Sequence, residues 1–337
     1  MTRQFIVAII VTVIAAAVPA MAADPDKLPA LQADAGKVSV SGLSSGAFMA
    51  VQYDTAFSAS VIGVGVVAGG PYNCAWVNFG GIVTCMDGSP LGSSSLDAAT
   101  GFAALGQIDP VENLAKGKVY LFSGTKDTTV KQTAMNAVRD YYKLAGVPAS
   151  HLLYVNHVPA GHAFLSPSFG GSCGTTASPY IDQCLVTGQL YDQPGAILTQ
   201  IYGQLAPKAT TLSSVPVAFD QTEFTSPTAG MASTGYVYIP AACQASGGAG
   251  CAVHVVFHGC KQGAGEVQDD VYSKLGYNPW ADTNKIILLY PQVEPTTLPT
   301  NPEGCWDWWG YTGLDFQVQS GPQLSAIRAM VKRITGK

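Results

Sequence analysis

Polar and apolar positions alternate through residues 37–41 (Lys-Val-Ser-Val-Ser), and the apolar ones are β-branched, which predicts a strand. The period then changes. Over residues 46–56, Phe48, Met49, Val51, Tyr53 and Ala56 are spaced as on a helix. Residues 61–68 form an almost unbroken apolar run that stops at Gly69-Gly70. A strand with no polar face is one buried on both sides, as in a parallel sheet covered by helices. The strand pattern returns over 118–122 and 151–155, with a helical pattern over 132–144 between them. Residues 37–157 therefore alternate strand and helix, the order of an α/β fold.

The second half is less regular. Residues 158–195 are rich in Gly, Ser and Pro and carry two Cys, which predicts a long loop tied by a disulfide. A helix is expected over 196–204. Residues 206–232 show no period. Strands are expected over 235–239 and 252–257, as neighbours in a meander, and a further strand over 285–290. Helices are expected over 266–275 and 319–334, the latter with basic residues in its last turns, where the helix dipole favours them. The aperiodic middle is neither long nor charged enough to read as a linker, so the two halves are expected to share one sheet in a single domain.

The N-terminus changes the picture of where the chain works. Arg3, an apolar run from Phe5 to Val18, Pro19 and then Ala20-Met21-Ala22 make a charged region, a hydrophobic region and a small-x-small cleavage site. The run is shorter than the ~20 residues of a spanning helix. Residues 1–22 thus read as a signal peptide cleaved after Ala22, leaving 23–337 as one catalytic domain with no separate substrate-binding domain. The expected location is secreted or periplasmic, with no membrane association after cleavage. All eight Cys follow this segment, and in an exported chain an even count reads as disulfides and not as metal ligands. Proximity in sequence pairs Cys74 with Cys85, Cys173 with Cys184 and Cys243 with Cys251, leaving Cys260 for Cys305. Only 12% of residues are charged and the net charge is −5 with no basic run, which argues against a nucleic-acid partner. A monomer is expected.

Gly42-Leu43-Ser44-Ser45-Gly46 fits G-x-S-x-G between a predicted strand and a predicted helix, the context a nucleophile elbow needs. The tight turn lifts the Ser44 hydroxyl to the carboxyl edge of the sheet and aims the Ser45 N–H at a developing oxyanion. Gly170 to Gly174 matches the same pattern, but no strand precedes it and it contains Cys173, so it reads as a disulfide-bearing turn. A serine hydroxyl needs a base to attack at neutral pH. Asp127 follows the strand at 118–122 and His162 follows the strand at 151–155, in the order Ser, Asp, His. His157 is the rival base. It lies nearer the strand end and is expected to pack against the sheet, whereas His162 follows Gly161 on a loop that can reach inward. His151 and His254, at the start of or within strands, read as satisfied core or surface residues and not as catalysts.

His258-Gly259-Cys260 follows the strand at 252–257, and a His-Gly step there offers the Cys260 backbone N–H as a second oxyanion donor. Such a step usually precedes the nucleophile in the chain; here it lies far downstream. The spatial arrangement survives if the fold is circularly permuted, with the older termini joined near 206–232 and the present ones close together at the surface. The other reading of His258 is a buried structural histidine. Trp306, Trp308 and Trp309 form the densest aromatic patch. A Cys260–Cys305 bond would pin it beside the oxyanion site, where flat apolar side chains could hold an acyl or alcohol unit.

Together, Gly42-Leu-Ser-Ser-Gly46-Ala-Phe-Met, Ser123-Gly-Thr-Lys-Asp127, Gly161-His162-Ala-Phe, His258-Gly-Cys260 and Cys305-Trp306-Asp-Trp308 resemble the poly(3-hydroxybutyrate) depolymerases, in particular their circularly permuted single-domain type. The resemblance covers nearly all of the chain beyond residue 22. It implies an α/β-hydrolase fold and a serine esterase acting on a polyester or hydroxyalkanoate oligomer. By it, Ser44, Asp127 and His162 are catalytic, Ser45 and Cys260 supply the oxyanion hole, and Trp306, Trp308 and Trp309 line the cleft. No metal or other cofactor is implied. Feruloyl and acetyl-xylan esterases share the His-Gly-Cys and Cys-Trp-x-Trp features and are the alternative within the same chemistry. An exported, non-catalytic binding protein on a degenerate hydrolase fold is the alternative outside it.

Overall fold

The computed structural model describes Met1 and residues 25–298 and 300–337. Apart from Met1, the signal-peptide reading of residues 1–22 lies outside the described residues. The centre is an eight-stranded sheet. Its strands in chain order are β1 (Val38–Leu43), β2 (Val61–Val67), β3 (Lys118–Phe122), β4 (Leu152–Val155), β5 (Val217–Asp220), β6 (Thr234–Tyr238), β7 (Ala252–Phe257) and β8 (Ile286–Tyr290). In space they run β5-β6-β8-β7-β1-β2-β3-β4. All pairings are parallel except those of β6, which is antiparallel to β5 and to β8. The carboxyl ends of β1, β2, β3, β4 and β7 therefore share one edge.

β1 sits mid-sheet and is buried at every position. Its alternation sorts two faces: Val38 and Val40 join Val253, Val255 and Leu289 in an apolar layer, while Ser39 and Ser41 hydrogen-bond His254 of β7. Helix α1 (Ser45–Ala56) follows directly and is buried along its whole length. The C-terminal helix α2 (Pro322–Thr335) packs its apolar face on the same layer. The Leu31 and Ala33 amides donate to the carbonyls of Arg333 and Ile334 at 3.1 and 3.0 Å, so the segment entering β1 lies against the last helix. Counted from β5 and carried across this contact into β1, the strands fall in the spatial order 1-2-4-3-5-6-7-8.

Both halves do share one sheet, but three expectations fail in the second half. Residues 206–232 hold strand β5, whose four residues at the sheet edge, with only Phe219 buried, are too few to print a period. The strands expected over 235–239 and 252–257 are not neighbours, because β8 lies between them. The helix expected over 266–275 is broken at Gln268, at φ 54, into a turn over Ala264–Val267 and a π-helical turn over Asp270–Lys274. Helices over Cys74–Val77, Gly81–Asp87 and Gly92–Ala104, between β2 and β3, had no sequence signal strong enough to place them. The four disulfides pair as proximity suggested. Among the described residues no helix is long and apolar enough to cross a membrane.

Candidate active site

The turn after β1 is forced by two close backbone approaches. A Cβ on Gly42 would lie 2.3 Å from the Gly46 carbonyl oxygen, and one on Gly46 would lie 2.3 Å from the His258 oxygen. Between them Ser44 adopts φ 56, ψ −123, a conformation that costs an L-residue on the order of 1–3 kcal/mol and persists where the surroundings dictate it. Backbone bonds hold the edge in step: Ser44 N–H to Val67 O, Ala68 N–H to Phe122 O and Ser123 N–H to Val155 O, each 3.0 Å. The exits of β1, β2, β3 and β4 are thereby stitched together. Ser44 Oγ has no hydrogen-bond partner among the described residues and opens on a cleft.

Asp127 and His162 come from the exits of β3 and β4. Their loops are zipped by Thr125 N–H to Val158 O at 2.8 Å and Lys126 N–H to Ala160 O at 3.0 Å. Asp127 Oδ2 meets His162 Nδ1 at 2.8 Å, with the carboxylate wholly buried and the imidazole 7% exposed. Asp127 Oδ1 accepts the N–H groups of Thr129 and Val130 at 2.8 and 2.9 Å. A carboxylate held by these donors is fixed in place and in turn fixes the ring. Nδ1 then carries the proton, leaving Nε2 as the free base. The His162 amide donates to Thr176 Oγ1 at 2.9 Å, which anchors its backbone. His157 is exposed and not packed against the sheet as expected. Ser172, in the second G-x-S-x-G, is exposed beside the Cys173–Cys184 bond.

The residues expected to donate to an oxyanion lie at the same edge. Ser45 is the first residue of α1, so the helix itself offers no acceptor for its N–H. Among the described residues no acceptor takes the Cys260 N–H either. His258 is buried; Val293 N–H donates to its Nε2 at 3.1 Å, so its Nδ1–H donates to Gly259 O at 2.7 Å. Burial lowers its pKa to about 4, partly opposed by that carbonyl, which keeps it neutral at pH 7. His258 is therefore structural, with a specific task. A trans peptide points its C=O and N–H opposite ways, so pinning the Gly259 carbonyl aims the Cys260 N–H.

The cleft has a volume of about 240 Å³, with Ser44 and Cys260 among its lining residues and walls of Phe48, Ile82, Met86, Val130, Trp308 and Trp309. Phe48 and Trp308 stack at 4.0 Å and 13°, and Trp309 stands edge-on to Trp308 at 5.5 Å. Glu303 is the one charged residue in the lining. The Cys260–Cys305 bond fastens the tryptophan segment to the oxyanion loop. Trp306 is a correction: it is fully buried, edge-on to Phe257 at 5.1 Å, and lines no part of the cleft. Trp306 packs on Phe257 and Trp308 on Phe48, contacts distant in sequence that composition alone does not record. Sequence reasoning also missed Asp307, whose carboxylate accepts the N–H groups of Trp309, Gly310, Tyr311 and Thr312 and so shapes the tryptophan loop. Among the described residues no group of three or more His, Cys, Asp or Glu could hold a metal ion.

A mostly parallel sheet with a strained serine turn and a buried His–Asp pair at its carboxyl edge defines an α/β-hydrolase fold. No family model matches the chain. It is 47% identical over 318 residues to poly(3-hydroxybutyrate) depolymerase of Delftia acidovorans, covering 91% of this chain and 61% of that protein. It is 38% identical over 323 residues to polyhydroxybutyrate depolymerase of Talaromyces funiculosus, covering 91% of this chain and 92% of that one. The crystal structure of PHB depolymerase from Penicillium funiculosum superposes with a TM-score of 0.83 at 36% identity, over 92% of this chain and 99% of that one. A PHB depolymerase with one serine replaced by alanine, complexed with an R3HB trimer, matches equally well. The chain belongs to the poly(3-hydroxybutyrate) depolymerase family.

Proposed function

We propose that the chain is an exported serine esterase that hydrolyses poly(3-hydroxybutyrate), or its oligomers, to 3-hydroxybutyrate units. The observation that carries this is the buried 2.8 Å His162–Asp127 pair at the sheet edge where strained Ser44 opens on an apolar cleft. In the reaction, His162 Nε2 takes the Ser44 proton as Oγ attacks the ester carbonyl. The tetrahedral oxyanion is held by the Ser45 and Cys260 N–H groups, each worth on the order of 2.7–4 kcal/mol in such sites. His162 then protonates the leaving alkoxide oxygen, and water, activated by the same imidazole, cleaves the hydroxyacyl ester of Ser44. Catalytic hydrogen bonds are commonly long in unliganded sites and shorten when substrate binds, which accounts for the free Ser44 hydroxyl.

The aromatic walls suit the methyl and methylene groups of hydroxybutyrate, and a family member is known bound to an R3HB trimer. Four disulfides fit an oxidising compartment, which supports export. The strand order counted from β5, with the segment before β1 against the last helix, supports the permuted connection. The test is product analysis on amorphous poly(3-hydroxybutyrate), on hydroxybutyrate trimer and on methyl ferulate. Release of hydroxybutyrate units is expected from the first two. Turnover of methyl ferulate alone would replace the polyester by a plant-cell-wall ester.

A further inference from the structure

Strands β7 and β4, which carry the oxyanion loop and the histidine loop, lie four places apart in the sheet, about 19 Å at ordinary strand spacing. One side chain nevertheless spans the two loops. Gln262 is 1% exposed. Its Oε1 accepts the Gly259 N–H at 2.8 Å, and its Nε2 donates to Pro179 O at 2.8 Å and Tyr180 O at 3.1 Å. Tyr180 O also accepts the Phe164 N–H at 2.9 Å, two residues beyond His162. Thr176, which anchors the His162 amide, belongs to the same segment. The tightness of that segment is set at Gly161, where a Cβ would lie 2.4 Å from Thr175 O.

We propose that Gln262 is a positioning residue that latches the loop carrying the Cys260 oxyanion donor to the loop carrying His162. This rests on the roles proposed above for Ser44, His162 and Cys260. Among the described residues Gln262 is the only acceptor for the Gly259 N–H. With His258 holding the Gly259 carbonyl, both peptide planes that flank Gly259 are then fixed, and the second of them carries the Cys260 N–H. The chemistry of the position calls for an amide. One arm must accept from an N–H while the other donates twice to carbonyl oxygens, which a carboxylate cannot do and an asparagine is one methylene too short to do. A glutamine that merely satisfied buried backbone groups would affect stability and leave the reaction rate alone.

The test uses full-chain Gln262→Met and Gln262→Glu variants beside Ser44→Ala, assayed on soluble hydroxybutyrate trimer, with thermal midpoints and inhibition by an alkylboronate that mimics the tetrahedral anion. Gln262→Met is expected to lower kcat about 10- to 100-fold, with KM within about threefold, and to weaken the boronate by a similar factor. Gln262→Glu keeps the acceptor for Gly259 but sets its second oxygen against two carbonyls, and is expected to lose about tenfold or more in kcat. If Gln262→Met does not fold, Gln262→Glu decides by the same criteria. A folded variant whose kcat stays within about threefold of the parent, or whose loss lies only in KM or the thermal midpoint, overturns the assignment. Turnover persisting in Ser44→Ala overturns the nucleophile itself, a separate failure from that of Gln262.

Discussion

Two sets of serine and histidine residues, one inside this sheet and one at its edge, differ in ways that separate packing from catalysis. In the first, His254 Nδ1 meets Ser39 Oγ at 2.7 Å and its Nε2 meets Ser41 Oγ at 2.8 Å. Ser39 Oγ also meets Tyr202 Oη at 2.6 Å and Ser41 Oγ meets Tyr277 Oη at 2.8 Å. Every hydroxyl here is occupied, all three residues are fully buried, and burial lowers the His254 pKa to about 3. Neither imidazole nitrogen has a carboxylate partner, and Asp307 spends its oxygens on its own loop. In the second, Ser44 sits past the strand end on a strained turn, its hydroxyl is free and faces a cleft, and the histidine of that edge is held by Asp127. Hydrogen-bond distance alone would favour Ser39. Access, backbone strain and a buried carboxylate favour Ser44.

Substitutions can break this contrast, in descending size of effect. Ser44→Ala is expected to lower kcat on hydroxybutyrate trimer roughly 10⁴- to 10⁶-fold with an unchanged thermal midpoint. Asp127→Asn should cost about 10³- to 10⁴-fold in kcat, because the ring loses its fixed tautomer, seen in the same assay. Trp308→Ala should raise KM about tenfold by opening the stacked wall; Trp306→Ala should instead lower stability by about 3–5 kcal/mol in urea melts and shift KM little in the folded fraction. Ser39→Ala should leave kcat within about twofold and destabilise by about 1–2 kcal/mol. A Ser39→Ala variant as dead as Ser44→Ala would reverse the reading of the two serines.

The buried histidine also sharpens the comparison through pH. His254 is neutral when folded but takes up a proton near pH 6.5 when unfolded. Because the unfolded state binds more protons, stability is full above about pH 6.5 and is lost as pH falls toward 3. Asp54 works the other way: burial raises its carboxyl to about 7, with Tyr142 opposing, so its stabilising contribution is lost as pH rises through that value. The difference in urea midpoint between the parent and His254→Gln isolates the histidine, and it should grow smaller as pH falls from 7 to 4.

Much of the edge that bears Ser44 was legible because local chemistry dictated it. The alternation of Val38 and Val40 with Ser39 and Ser41, the glycines on either side of Ser44, and the placement of Asp127 and His162 just past strand ends all follow from short stretches of chain. The parts that were not legible depend on contacts distant in sequence. β8 inserts between β6 and β7 because of how the strands cross over, which no short segment records. Trp306 and Trp308 have the same chemistry and opposite fates, fixed by Phe257 on one side and Phe48 on the other. Gln262 matters through Gly259 on its own loop and Tyr180 on another, a pairing invisible until the loops meet.

The most direct measurement is fluorophosphonate labelling of the folded protein followed by peptide mapping. Label on Ser44 alone, abolished in Ser44→Ala and Asp127→Asn but retained in Ser39→Ala, is the predicted result. Label on Ser39 or any other serine, or an unlabelled protein that still hydrolyses hydroxybutyrate trimer, contradicts the assignment of Ser44 as nucleophile.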